Sequence, residues 1–459
     1  MAPATAAGQP PDCSILRPVL ERLFHLTESR TTVRTEVIAG MTTFLTMAYI
    51  IFVQPAVLSS AGMDAGAVLV ATCLASGIAT LLMAFLANYP IAVAPAMGHN
   101  FYFAFTVVIG MQIPWPVALG AVACAGLLFI ATAGVGLREH VIVAIPESLK
   151  HAIAVGIGLL IALIGLEWGG IVRGAPGTLV TLGHLRLAPA MLTVFGLVVM
   201  AALIARRVRG AVLIGILCST AVGLAMGLVR YQGIVSPPPS IAPTFMELDV
   251  PGALRPAMAV VVLIFFMLAL FDSIGTLVGV AGQAGLMRGN TLPRARGALL
   301  ADAIGTVVGA GLGTSTVTAY IESSTGVAAG GRTGLANVVT AMMFFLSLFL
   351  YPLVRMIGGG YPIGDGVILY PVIAPALVLV GTMMMPAVRG IAWDDPTEAI
   401  PAFLTIVIMP LTVSITDGIA FGVISYALLK LATARAREAH WLMYAFAMLF
   451  VLRYAFLVR

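Results

Sequence analysis

From about residue 37 onward the chain is a succession of apolar runs, each near twenty residues long and parted by short polar breaks. A helix of about 20 apolar residues crosses the hydrocarbon layer of a bilayer. Backbone exposed to lipid must satisfy its hydrogen bonds within helices or closed barrels. The chain is therefore expected to fold as an all-α polytopic membrane protein. Only 9% of its 459 residues are charged and 60% are hydrophobic, against roughly 25% charged in soluble domains. That leaves no room for a sizeable soluble domain, and the net charge of +5 says nothing about nucleic acid.

The runs fall into two sets. The first covers residues 37–60, 65–87, 91–109, 115–136, 149–167, 187–205 and 210–229; the second covers 257–284, 296–312, 313–331, 334–357, 367–388, 398–415 and 417–433. They correspond at an offset of about 220 residues, the repeat plan of many transporters. Seven is odd, so the halves must enter the membrane in opposite orientations. Fourteen transmembrane segments as two inverted seven-span repeats follow. Residues 1–36 are polar and lack the early apolar stretch of a cleaved leader, so they are read as a cytoplasmic tail ahead of an uncleaved first span. Most of the 24 Lys and Arg then sit on the N-terminal side of the membrane, among them Arg30, Arg34, Arg138, Lys150, Arg206, Arg207, Arg209, Arg288, Arg332, Lys430 and Arg435. That bias places the protein in the cytoplasmic (inner) membrane with its N-terminus inside. The tail, residues 434–459, carries an apolar segment at 441–458 that reads either as a fifteenth span or as a helix lying in the interface.

Two segments cannot be ordinary helices. GLGTSTVTAYIESSTGVAAGGRTG, Gly311 to Gly334, offers Thr314, Ser315, Thr316, Thr318, Ser323, Ser324 and Thr325, with Glu322 at membrane depth. Irregular backbone at that depth is tolerated only where protein or a cavity surrounds it. A short extended piece over Ser315–Tyr320, followed by a half-helix from about Glu322, is the expected form; a polar loop outside the membrane is the alternative. Its counterpart in the first repeat, IAVAPAMGHNFYFAF, reads the same way, with an extended proline-containing piece and a helix starting near Asn100, which is placed to cap it.

The ionisable residues inside these runs are functional candidates by default. Asp272, in AVVVLIFFMLALFDSIGTLVGVAG, is flanked by uncharged residues and is the expected proton-coupling site. Thr276 lies one turn on, on the same face, and Gly275 and Gly279 would let another backbone approach closely, as would Gly326 and Gly330. Glu322, Ser323 and Asn100 are expected to bind substrate with Asp272 and Thr276, with Phe101 and Tyr320 as stacking faces and Tyr102, Phe103 and Phe271 as alternatives for that role. Asp302 and His99 are read as structural. No His/Cys/Asp/Glu spacing suggests a metal site, a cofactor or a nucleophile and base, so the chain is not read as an enzyme.

TEVIAGMTTFLTMAYIIFVQPAVL, ANYPIAVAPAMGHNFYFAF, LFDSIGTLVGV, GTSTVTAYIESSTGVAAGGRTG and DDPTEAIPAFLTIVIMPLTVSITDGIAFG resemble the AzgA-like purine permease branch of the nucleobase:cation symporter-2 (xanthine/uracil permease) family, over about residues 31–435. The resemblance implies a core domain (37–136 and 257–357) and a gate domain (149–229 and 367–433). It further implies proton-driven purine uptake by alternating access, a homodimer formed through gate helices, and Asp272, Glu322 and Asn100 as the polar residues of the eighth, tenth and third spans. An ionised carboxylate accepts only, and guanine presents two adjacent donors to it, so guanine and hypoxanthine rank above adenine, xanthine and uracil. An anion transporter or channel of the same broad fold is the rival reading.

Overall fold

The computed structural model describes residues 16–135, 145–175, 177–287, 292–363 and 367–456. Arg138, Arg288 and the N-terminal tail up to residue 15 lie outside the described residues.

The chain begins with α1 (Leu16–Phe24) and then makes the first span from α2 (Val33–Met47) and α3 (Ile50–Ser60). Between them Ile51 N–H bonds Ala48 O and Phe52 N–H bonds Tyr49 O, each at 3.1 Å. This is the tighter three-residue spacing, and it breaks the span at Ala48 and Tyr49. There follow α4 (Ala65–Leu86), β1 (Val93–Pro95), α5 (Met97–Phe101) running into a π-helical turn over Tyr102–Gly110, and α6 (Trp115–Val135). Next come α7 (Glu147–Trp168), a hairpin of β2 (Val172–Ala175) and β3 (Thr178–Leu182), α8 (Ala188–Ala205) and α9 (Ala211–Ala225). The second half repeats the order as α10 (Ala259–Gln283), α11 (Ala295–Leu312), β4 (Val317–Ala319), α12 (Ser323–Ala328), α13 (Gly334–Ser347) with α14 (Tyr351–Gly358), α15 (Ala374–Met384), α16 (Pro396–Thr412) and α17 (Ile415–Ala432). A last helix, α18 (Trp441–Phe456), closes the chain.

Side-chain caps mark several starts: Thr32, Asp64, Thr333, Asp395 and Ser414 each accept a first-turn N–H of α2, α4, α13, α16 and α17. These are the residue types whose short oxygens satisfy the orphan donors of a helix start.

The two broken spans meet at their extended pieces. β1 pairs antiparallel with β4 in the register Val93↔Ala319, Ala94↔Thr318, Pro95↔Val317. Strands of three residues leave backbone groups on their outer edges, and a threonine from the neighbouring helix bonds one residue of each. Thr80 on α4 donates to Val93 O at 2.9 Å and accepts from Val93 N–H at 3.0 Å. Thr306 on α11 does the same for Val317, at 2.9 and 3.2 Å. Ser323 accepts from Ala92 N–H at 3.0 Å. Backbone of the two irregular segments is thereby bonded within the protein interior at Ala92, Val93 and Val317, as the bilayer demands.

The helices pack in two groups. α2, α4, α6, α11 and α13 pack on one another around the β1/β4 crossing, with α10 against α6 and β4. α7 packs on α15 and α16, α16 on α17, and α8 on α9 and α15. α18 turns back along α17: Tyr454, near its end, donates to Asp417 at 2.6 Å and stacks edge-on to Phe421, both at the start of α17. Phe450, Ala447 and Met443 are buried in the same contact region, so α18 runs antiparallel to α17 and not flat along the interface.

Candidate functional site

Asp272 stands near the middle of α10, on the face that carries Thr276 and Gly275, and all three line a cavity of about 550 Å³. The cavity lies between the two groups of helices. α5 and α10 contribute Gly98, His99, Leu268 and Phe271, while α7 and the end of α15 contribute Lys150, Ile157 and Met384. Its volume is within the 300–1,000 Å³ usual for small-molecule sites. Asp272 is open to it, and its Oδ2 accepts from the Thr318 hydroxyl of β4 at 2.8 Å. At one end of the cavity Lys150 pairs with Glu147 at 2.7 Å and holds its ammonium 5.7 Å from the Phe271 ring centroid.

Glu322 immediately precedes α12. Its carboxylate does not cap that helix; Oε1 accepts from the Tyr49 hydroxyl of the first-span break at 2.7 Å. Glu322 is half-buried and is not itself among the residues lining the cavity. Its neighbour Ile321 lines the cavity. α12 has six residues, less than two turns, so side chains rather than a long helix dipole define this site.

The remaining candidates divide. Asn100 is fully buried, and its Oδ1 accepts from the Ser315 hydroxyl while Nδ2 has no partner among the described residues. It does not cap α5, as the sequence suggested. That helix begins earlier, at Met97, because the extended piece ends at Pro95, and Asn100 N–H already bonds Ala96 O. Phe101 is buried and stacks on Phe105 at 5.5 Å, and Tyr102 and Phe103 are buried too. Of the five aromatic candidates, Phe271 is the one lining the cavity. Tyr320 donates its hydroxyl to Pro95 O, and Ser323 is occupied by Ala92; both strap the crossing together. Asp302 is buried and accepts from Ala319 N–H at 3.3 Å, bracing β4. His99 lines the cavity, which its sequence reading had not anticipated.

Gly275 and Gly279 do not make the close approaches expected of them. A Cβ at Gly275, which lines the cavity, would meet nothing within 4 Å, and one at Gly279 only Ile321 at 3.7 Å. The glycine at close quarters between the groups is Gly98, whose Cβ would lie 2.8 Å from Ile157. Sequence reasoning also missed Tyr49 and Thr318 as partners of the two carboxylates. A tyrosine three residues after Thr46 in an apolar run was the available signal.

A second cavity, of about 1010 Å³, is lined by Thr106, Gln112, Asp249, Ser414, Asp417 and Arg453. It contains none of the candidate residues.

The model of the Permease family that comprises the xanthine/uracil permeases matches residues 34–421. The chain is 45% identical to the guanine/hypoxanthine permease PbuG of Bacillus subtilis, over 95% of this chain and 100% of that one. It is 44% identical to the adenine permease AdeP of Escherichia coli, over 96% of each. Among solved structures, the transmembrane domain of the cyanobacterial bicarbonate transporter BicA superposes with a TM-score of 0.62 at 16% identity, over 84% of this chain and 97% of that one; at that identity the likeness is one of fold. Relatives and family are permeases and not enzymes. With a family match over residues 34–421, a range that includes both broken spans, the chain belongs to the xanthine/uracil permease (nucleobase:cation symporter-2) family.

Proposed function

We propose that the protein is a proton-coupled uptake carrier for purine bases in the cytoplasmic membrane, N-terminus inside, with guanine and hypoxanthine preferred. The observation that supports this most is the pair of carboxylates at the β1/β4 crossing, Asp272 held by Thr318 and Glu322 held by Tyr49, with Asp272 open to a cavity between two packed groups of helices. Two carboxylates serving one site repel when both are ionised. A proton taken up by Asp272 removes that repulsion and leaves Glu322 as the acceptor for the base. Phe271 supplies the stacking face. The group around the β1/β4 crossing acts as the core and carries this site; the group built on α7, α15, α16 and α17 acts as the gate and the dimer face.

Each net positive charge carried inward gains roughly 2.3 kcal/mol per 100 mV, enough for about fifty-fold accumulation. Uptake of labelled guanine into membrane vesicles, driven by an imposed proton gradient and competed by unlabelled bases and by bicarbonate, tests the reading. Guanine and hypoxanthine should compete best and bicarbonate not at all, and Asp272→Asn should abolish uphill uptake while leaving exchange. Asp272→Asn vesicles that still concentrate guanine would remove Asp272 from proton coupling, and stronger competition by adenine would overturn the ranking of bases.

A further inference from the structure

Tyr49 sits at the break between α2 and α3, buried at 3% exposure, and its hydroxyl makes one hydrogen bond among the described residues, to Glu322 Oε1 at 2.7 Å. A bond from a neutral donor to a charged acceptor is short and strong. One turn earlier on the same helical face, Thr46 bonds the Thr325 hydroxyl at 3.0 Å, and Thr325 in turn donates to Glu322 O at 2.7 Å. The first span thus grips Glu322 twice, by its side chain through Tyr49 and by its backbone through Thr46 and Thr325. These contacts join residues on opposite repeats, at and just before the tightened turn between α2 and α3.

We propose that Tyr49 is a positioning residue that sets which purines the site accepts, by fixing the plane and the donor–acceptor pattern of the Glu322 carboxylate. The inference rests on the reading of Glu322 as the acceptor for the base. While the phenol donates to Oε1, that oxygen is engaged as an acceptor and the plane of the carboxyl is held, so that a proton on Glu322 is carried by Oε2. An ionised Glu322 then presents an oriented acceptor to the paired N1–H and amine of guanine. A protonated one presents a donor at Oε2 to adenine N1. Without the phenol the carboxyl can rotate and place its proton on either oxygen, and the distinction between the two bases blurs. A site that discriminates through buried polar groups depends on such fixed geometry.

The test is a double-mutant cycle in the full chain, with uptake normalised to the amount of tagged protein in the membrane. Tyr49→Phe is expected to raise KM for guanine about tenfold, the effect of one charge-assisted hydrogen bond, to leave the maximal rate nearly unchanged, and to narrow the ratio of guanine to adenine affinity. In a Glu322→Ala background, which offers the phenol no side-chain acceptor, it should add nothing. Additive losses would mean that Tyr49 acts on its own and would overturn the inference, as would a neutral Tyr49→Phe beside a costly Glu322→Gln. A neutral Glu322→Gln removes the reading of the site itself and this inference with it. Thr46→Val separates loosening of the span from loss of the carboxylate bond: it should lower thermal stability and keep the guanine-to-adenine ratio, and the same narrowing there would also overturn the proposal. If Tyr49→Phe protein is scarce in membranes, guanine-induced thermal shift on purified protein reads the same loss of affinity.

Discussion

One oxygen of Glu322 is already committed to the Tyr49 hydroxyl, so a bound base would meet a carboxylate whose plane is fixed before it arrives. On the proposed function this makes Glu322→Gln an unequal lesion. A glutamine keeps one acceptor and gains an amine, which opposes the paired donors of guanine and suits the amine and N1 of adenine less badly. Guanine affinity should fall by at least about tenfold and adenine affinity by less, as read by competition against a common labelled base. Equal losses would sink the donor-matching argument. Asp272 and Glu322 were legible in the sequence because a charge inside an apolar run has few innocent explanations. Tyr49 was not, because an aromatic residue in such a run usually packs, and its partner lies in the other repeat. The aromatic cluster after Asn100 misled for the opposite reason: Phe101 stacks on Phe105 in the interior, and only the fold shows that Phe271 is the ring that reaches the cavity.

At the level of elements, the broken spans announced themselves through threonine, proline and glycine in runs that should have been plain helix, and β1 and β4 lie within the stretches expected to be extended. What the sequence left hidden was how their backbone is satisfied. Thr80 and Thr306 play identical parts in the two repeats, yet each reads locally as one more helix threonine. Glycine was equally ambiguous. Gly326 on α12 is pressed against α2, where an added Cβ would meet Thr43 Oγ1 and lie 2.7 Å from the Ala39 carbonyl, whereas Gly275 faces open space. Gly326→Ala should therefore destabilise by about 1–3 kcal/mol or more through overpacking, and drive α12, with Glu322 beside it, off its seat. Gly275→Ala should be neutral or stabilising by up to about 1 kcal/mol. Thermal unfolding of the two purified variants compares them directly, and equal midpoints would show that the α2–α12 contact can yield.

For the whole molecule, nine of the described helices are long and apolar enough to cross, and an all-α membrane protein with two similar halves was readable from hydropathy and break positions, since the length of an apolar run is set by the bilayer and not by its neighbours. The last helix was not, because its apolar length suited either a crossing or the interface and only its partner decides. α18 lies antiparallel to α17, itself long enough to cross, with Tyr454 on Asp417 at the far end. A crossing at α18 would change the parity of the chain, so that the segments before α1 and after α18 would face different compartments. If the N-terminus is cytoplasmic, a fluorescent protein fused behind residue 459 should stay dark and an alkaline phosphatase at the same place should be active, so that any purification tag on that end would be reachable by antibody on intact spheroplasts. A bright C-terminal fusion together with a cytoplasmic N-terminus would lift α18 out of the bundle and return it to the membrane surface.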